Sequence, residues 1–263
     1  MNLKEIEGLQ KRKNREETGC FFLEGLRACK EAFASGAEIV QLVVTEDFCE
    51  TDEWKQFRTN HSSANTSFAE LDLLKVGKKN FARLSDTVTP QGIGAVVKMP
   101  KADIGAIDFT GKRFGIVIAE NLQDPENMGT IIRTADAAGF AAIICSKDTV
   151  DVCNPKVLRS TVGSMFRFPI IQTDFTGAQI ADMLKKQGCT VVAAHPRGGE
   201  SLFEATLGKK YAVAIGNEAN GLSDELLNAC DKTITIPMPG GTESLNASVA
   251  AALMMYEVRR KGE

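Results

Sequence analysis

Beyond residue 113 the chain repeats one pattern, a short unbroken apolar run followed by a stretch with helical spacing. The runs are GIVIA at 115–119, AAIIC at 141–145, TVVAA at 190–194, YAVAI at 211–215 and TITIP at 233–237. Continuously apolar strands alternating with helices predict a parallel sheet covered on both faces, so this half is expected to be α/β. The first hundred residues are patterned differently. Their spacing predicts helices near 3–16 and 24–35, a strand at 39–44, helical segments near 50–58 and 70–76, and a closing strand near 92–98. The stretch KMPKADIGAIDFTGKR at 98–113 follows neither period and mixes Pro, Gly and charge, as a linker does. The expected division is therefore a smaller N-terminal α/β domain at 1–98, a linker at 99–112 and a larger parallel-sheet domain at 113–263.

Open parallel sheets bind ligands beyond the carboxyl ends of their strands, which directs attention to the loops there. Three stand out. NLQDPENMGTIIRTADAAG, 121–139, turns at Asp124-Pro125 and enters a helix that Gly139 is placed to end. Ile131, Ile132, Ala135 and Ala138 face the sheet on this reading, and Arg133 and Asp136 share another side, where a surface ion pair is the plainer explanation. AIGNEANGLSDE, 214–225, brackets Asn217, Glu218, Ala219 and Asn220 between Gly216 and Gly221, then offers Ser223 as a helix cap with an acidic first turn. It carries neither the dinucleotide fingerprint G-x-G-x-x-G nor the Gly-Lys-Ser/Thr of a P-loop. In ITIPMPGGTESLNASVAAA, 234–252, four polar residues, Thr242, Glu243, Ser244 and Asn246, crowd the start of a helix. One cap needs one of them, so three are surplus.

That last helix is apolar over more than one face. Ala247, Ala250, Ala251, Met254 and Val258 form one stripe, and Val249 and Leu253 widen it. It is expected to bury one side on its own sheet and another on a second subunit.

Composition narrows the function classes. With 43% hydrophobic and 25% charged residues the 263-residue chain has the profile of a folded, water-soluble protein. No run reaches the roughly 18–20 apolar residues a membrane crossing needs, and MNLKEIEGLQKRKNREE lacks the apolar centre of a signal peptide, so a cytoplasmic location is expected. The 7 cysteines are scattered and never paired as C-x-x-C, which argues against zinc and disulfides; Cys145 reads as a small buried hydrophobe. Only His61 and His195 are present, and no metal is expected. A net charge of -3 excludes bulk electrostatic coating of nucleic acid. Local clusters at Lys11, Arg12, Lys13 and Arg15, at Lys75, Lys78, Lys79 and Arg83, and at Lys156, Arg159 and Arg167 are candidates to track a phosphate backbone, the first above all.

Taken in order, the loops read N-x-G-x-x-x-R, G-x-E-x-x-G-L-S and I-P-M-x-G-x-x-x-S-L-N-x-S, carried by Asn127, Gly129 and Arg133, by Gly216, Glu218, Gly221, Leu222 and Ser223, and by Ile236, Pro237, Met238, Gly240, Ser244, Leu245, Asn246 and Ser248. With them the chain resembles the SpoU (TrmH-like) branch of the SPOUT methyltransferases, RNA ribose 2'-O-methyltransferases that use S-adenosylmethionine. Asn154-Pro155-Lys156 with Arg159-Ser160 and Gly163 is similar to the family's intermediate segment, and FFLEGLRACKEA with PQGIGAVV to its ribosomal-protein-like, RNA-binding N-terminal domain. Thr161 departs from the Ser more common there.

The resemblance implies a SPOUT domain with a deep trefoil knot, one of the few exceptions to unthreaded chains. It further implies a bent S-adenosylmethionine held largely by backbone at Gly216, Ile236 and Leu245, a homodimer through the last helix, and RNA, ribosomal before transfer RNA, as substrate. Asn127, Arg133, Glu218, Ser244 and Asn246 are the implied catalytic residues. A neutral hydroxyl is a poor nucleophile, so orientation and stabilisation of the developing alkoxide carry the work. A guanidinium resists deprotonation, which makes Arg133 an oxyanion and phosphate partner and leaves the base open. Ser244 and Asn246 would orient the cofactor carboxylate or the ribose, and Glu218 would position Arg133 or Asn127. The alternatives are an inactive SPOUT-like RNA-binding or ribosome-assembly protein and a transfer RNA 2'-O-methyltransferase; an oxidoreductase lacks its glycine fingerprint.

Overall fold

A computed structural model describes residues 1–61, 71–108, 115–206 and 209–262. The chain forms two compact units, Met1–Pro100 together with Cys153–Arg167, and Lys101–Val152 together with Phe168–Glu263.

The first unit opens with α1 (Leu3–Gly8) and α2 (Arg12–Thr18), where one helix near 3–16 was expected. The break has a local cause. Leu9 ends α1, and the carbonyls freed at Leu9 and Gln10 are taken up by the buried Arg15 guanidinium, whose Nη1 donates to them at 2.6 and 2.9 Å. Next come β1 (Cys20–Glu24), α3 (Leu26–Ala34), β2 (Ile39–Thr45), α4 (Glu46–Cys49), α5 (Asp52–His61), β3 (Asp72–Val76), α6 (Lys78–Leu84) and β4 (Ile93–Lys98). The segment read as helical near 70–76 is in fact β3, paired parallel to β2 and held at its start by Gln41 Nε2 donating to Asp72 Oδ2 at 2.7 Å. Five residues are too few for periodicity to separate strand from helix. The sheet order is β1-β4-β2-β3, with β4 antiparallel to both of its neighbours. Residues 109–112 of the expected linker, and 113–114 after it, lie outside the described residues.

The second unit holds β5 (Gly115–Ala119), α7 (Pro125–Ala137) and β6 (Ala142–Cys145); the chain then contributes α8 (Pro155–Thr161) to the first unit. It returns with β7 (Ile170–Gln172), α9 (Gly177–Lys186), β8 (Thr190–Ala194), β9 (Glu200–Ser201), β10 (Tyr211–Ile215), α10 (Asp224–Ala229), β11 (Lys232–Thr235) and α11 (Ala247–Gly262). The strands form one parallel sheet in the order β7-β6-β5-β10-β8-β11-β9. Every residue of β5 and β10, side by side at its centre, is buried, as their unbroken apolar sequence demands. Burial pushes the Cys145 thiol of β6 up to about 12, so it serves as packing. Among the described residues no helix is long and apolar enough to cross a membrane.

Candidate active site

The loops that follow β5, β10 and β11 are joined by hydrogen bonds. After β10 the chain makes a closed turn in which Asn217 and Gly221 exchange backbone hydrogen bonds at 2.9 Å. The Asn217 side-chain oxygen accepts from the N–H groups of Ala219 and Asn220, both at 3.0 Å, and its amide donates to the Asn121 carbonyl at 2.9 Å. A Cβ on Gly216 would lie 2.3 Å from the Gly221 carbonyl carbon, so the turn closes only with glycine there. Ser223 then caps α10 and also donates its hydroxyl to the buried Glu120 at 2.8 Å, tying the turn to the end of β5.

Glu218, exposed on this turn, reaches the loop after β5. Its carboxylate accepts from the N–H groups of Gln123 and Asp124 and from Asn127 Nδ2, each at 3.1 Å. Partial burial works against ionisation, but the hydrogen bonds from Asn127 and from the backbone of Gln123, Glu218 and Asp124 outweigh it and hold the carboxyl below its ordinary value. Asp124 caps α7, with Pro125 in its first turn, and so fixes the position of the buried Asn127.

The third loop completes the series. Asn246 Nδ2 donates to Asn127 Oδ1 at 2.9 Å. Its own Oδ1 accepts from Ser248 N at 2.9 Å, Ser248 Oγ at 2.7 Å and Val249 N at 3.3 Å. Of the four polar residues before α11, then, Asn246 is the cap. A directional chain runs from Asn246 through Asn127 to Glu218, and of the two partners open to Glu218 it is Asn127 that it binds.

Beside this chain lies a cleft of about 280 Å³. Gly216, Ile236 and Leu245 all line it, with Ile215, Met238 and Ala247 as further apolar wall, and Glu218 and Ser244 face it as well. His195, at the end of β8, is a wall residue that sequence pattern did not single out. Asn127 and Asn246 are tied to Glu218 by hydrogen bonds and are not themselves among the walls. Arg133 sits exposed on α7 and makes no hydrogen bond or ion pair among the described residues. The structure therefore brings together seven of the eight expected residues and leaves Arg133 outside the group. Glu120, Asn217 and Ser248 also support the site; Asn217 and Ser248 lie within the motif loops but were given no role there, and Glu120 was not anticipated.

The basic clusters fare unevenly. Arg15 is consumed internally, Arg12 pairs with Glu16 at 2.7 Å and Lys13 with Glu17 at 3.7 Å, so three of the four cations of the 11–15 cluster, a candidate RNA contact, already have partners. In the second, Lys78 pairs with Asp47 and Arg83 with Glu7.

Residues 115–256, more than half of the chain, match the model of the SpoU rRNA Methylase family. The chain belongs to that family. Residues 1–95 of this SpoU methylase match the MRM3-like substrate binding domain. It is 31% identical over 257 residues to the 23S rRNA (guanosine(2553)-2'-O)-methyltransferase RlmP of Bacillus subtilis (strain 168), covering 98% of this chain and 95% of that one. It is likewise 31% identical over 264 residues to the 23S rRNA (uridine(2479)-2'-O)-methyltransferase of Streptomyces viridochromogenes, covering 96% and 87%. Among solved structures, the SpoU methyltransferase AviRb of the same organism, in complex with AdoMet, superimposes with a TM-score of 0.86 at 26% identity over 98% of this chain and 96% of that one. The AdoMet-bound rRNA methyltransferase of Sinorhizobium meliloti gives 0.81 at 29% identity, covering 98% and 94%.

Proposed function

We propose that this SpoU methylase transfers a methyl group from S-adenosylmethionine to a ribose 2'-hydroxyl of ribosomal RNA. The observation that carries the reading is the cleft at the ends of β10 and β11. Its aliphatic walls, Ile215, Ile236 and Leu245, flank a backbone turn that Gly216 keeps bare, a surface suited to a purine and to main-chain contacts with the rest of a nucleoside. Relatives named for 23S rRNA 2'-O-methylation and neighbours solved with AdoMet support the same chemistry.

When bound, S-adenosylmethionine supplies a methyl carbon on a sulfonium that keeps the bond's electron pair as the methyl leaves. Gly216, Ile236 and Leu245 are the residues placed to hold it. Ser244, exposed on the cleft wall, and Asn246 orient its carboxylate end or the ribose, and Asn127 and Glu218 hold Asn246 in one orientation. The attacking oxygen gains charge as it loses its proton, and a guanidinium suits that charge as a donor. Arg133 serves in this way only when the RNA or a second copy of the chain brings the reacting oxygen to α7.

Residues 1–98, joined by Cys153–Arg167, form the RNA-binding domain in this reading, and the rest of 113–263 forms the catalytic domain, threaded as the family's trefoil knot. A homodimer through α11 is supported by Val249, Leu253 and Tyr256, a stripe at i, i+4 and i+7 left 47%, 41% and 53% exposed on a helix whose opposite face is buried. A cytoplasmic location goes with the substrate. Labelled methyl transfer to total RNA, followed by mapping of the modified nucleotide, tests the function. The expected product is a 2'-O-methylated nucleotide in 23S ribosomal RNA, and label confined to transfer RNA, or absent, overturns it.

A further inference from the structure

The first unit contains a groove of about 440 Å³ between the start of α3, the loop at 85–91 and α8, a size that accepts one nucleotide. Ala28 and Leu158 give it an apolar lining, Arg27 and Arg159 both face it, and Thr89 and Gln91 supply polar atoms. Its loop is preformed. The Glu24 carboxylate accepts from Ser85 Oγ and Thr87 Oγ1, both at 2.6 Å, and from Asp86 N at 3.1 Å. Gln91 Oε1 accepts from Leu26 N at 2.9 Å, which leaves the Gln91 amide N–H groups as donors.

The charges around the groove do not cancel. Five cations on or beside the groove, Arg27, Lys30, Lys156, Arg159 and Arg167, outnumber the acids Glu24, Glu31 and Asp86, of which Asp86 pairs with Arg159 at 2.7 Å and Glu31 with Arg167 at 3.3 Å. Arg27 and Lys30, one turn apart on α3, and Lys156, one turn before Arg159 on α8, have no ion-pair partner among the described residues. The end of α8 is held against α3 by unusual backbone: Val162 has φ 48°, costly for a β-branched residue, and a Cβ on Gly163 would lie 2.8 Å from Glu31 Cγ. At the tip of the loop Val88 is 100% exposed.

We propose that this groove holds an unpaired nucleotide of the substrate RNA. Arg27, Lys30 and Lys156 bind the flanking phosphates, Val88, on the loop beside the groove, packs on the base, and Thr89 and Gln91 bond its edge. Unstacked bases are the usual targets of sequence-specific RNA recognition, and phosphate contacts fix their register. The assignment rests on RNA being the substrate, as proposed above, and it moves the RNA-binding surface away from the 11–15 cluster.

The test uses the full chain and an in vitro transcript of 23S ribosomal RNA. The variant Arg27→Glu/Lys30→Glu is expected to weaken transcript binding at least tenfold and to lower the log–log salt slope by about 1.5, at roughly 0.7–0.9 for each phosphate no longer neutralised. Calorimetric affinity for S-adenosylmethionine stays within twofold of wild type. Lys11→Glu/Lys13→Glu leaves both affinities within twofold, and 4-thiouridine in the transcript cross-links to the peptide containing Val88. Should the charge reversal disturb folding, Arg27→Gln/Lys30→Gln is read instead, with a slope change of the same sign. A wild-type chain that methylates the transcript while the α3 variants bind and modify it unchanged overturns the groove alone. A wild-type chain that neither binds nor methylates RNA overturns the function and the groove together.

Discussion

A carboxylate with three N–H donors around it offers only acceptors, so it dictates which way a facing amide must turn. Glu218 does this to Asn127, and Asn127, with its Nδ2 committed, presents Oδ1 to Asn246. The Asn246 amide is then fixed from two sides, its nitrogen by Asn127 and its oxygen by the start of α11. Capping and positioning can therefore be separated. Asn246→Asp keeps the cap acceptor but sets an oxygen against Asn127 Oδ1; it should hold the melting temperature within a few degrees and cut methyl-transfer turnover by about a hundredfold, roughly 2.7 kcal/mol of barrier. Asn246→Ala removes the cap as well, at about 1 kcal/mol of stability. Turnover near wild type in the Asp variant would reduce Asn246 to a helix cap. Glu218 has a pH signature. Its folded value lies below the ordinary 4.5, so its contribution to stability is complete above that value and is lost as the pH falls through the folded one. Denaturant titrations of wild type and Glu218→Gln should differ by a constant amount near neutrality, and the gap should narrow only in acid.

At the scale of elements, legibility followed length and burial. The strands β5, β6, β8 and β10 are continuous apolar runs, and a sequence can show these because each is buried on both faces; β11, Lys232–Thr235, alternates Thr with a single buried Ile234. β9, two residues long, and β7, three, carry too little pattern to register, and β3 showed the wrong one. The three motif loops were legible as a set. Which polar residue capped α11 was not, because the choice depends on Asn127, 119 positions away in sequence. For α11 the doubly apolar reading holds on both faces: Ala251, Met254, Met255 and Val258 are buried, while Val249, Leu253 and Tyr256 remain open. Leu253→Glu places a charge on the open face only and should cost the fold less than about 0.5 kcal/mol. If α11 is the dimer interface, light scattering will show the mass of the Leu253→Glu variant halved relative to wild type; an unchanged dimer would place the interface elsewhere.

The least legible feature belongs to the whole molecule. Between β6 and β7 the chain leaves the parallel-sheet unit, and Cys153–Arg167 becomes part of the first unit. No local period announces this, because the packing that decides it joins residues more than a hundred positions apart. Phe166 stacks on Phe21 with ring centroids 6.4 Å apart, and the buried Cys153 and Leu158 line one small cavity together with Leu9, Phe22, Leu23 and Leu84. Each large apolar side chain so buried is worth about 1.5–3 kcal/mol, and two or three of them approach the roughly 5–15 kcal/mol that is the whole stability of a typical domain. A fragment ending at residue 100 should therefore be poorly folded although it contains every strand of its sheet. Residues 153–167 fused behind it through a flexible linker should restore a cooperative unfolding transition, read by circular dichroism and dye binding. Without the added segment, the fragment should bind the hydrophobic dye and melt broadly. A fragment 1–100 that melts as sharply as the fused form would show that the segment rests on an already complete core.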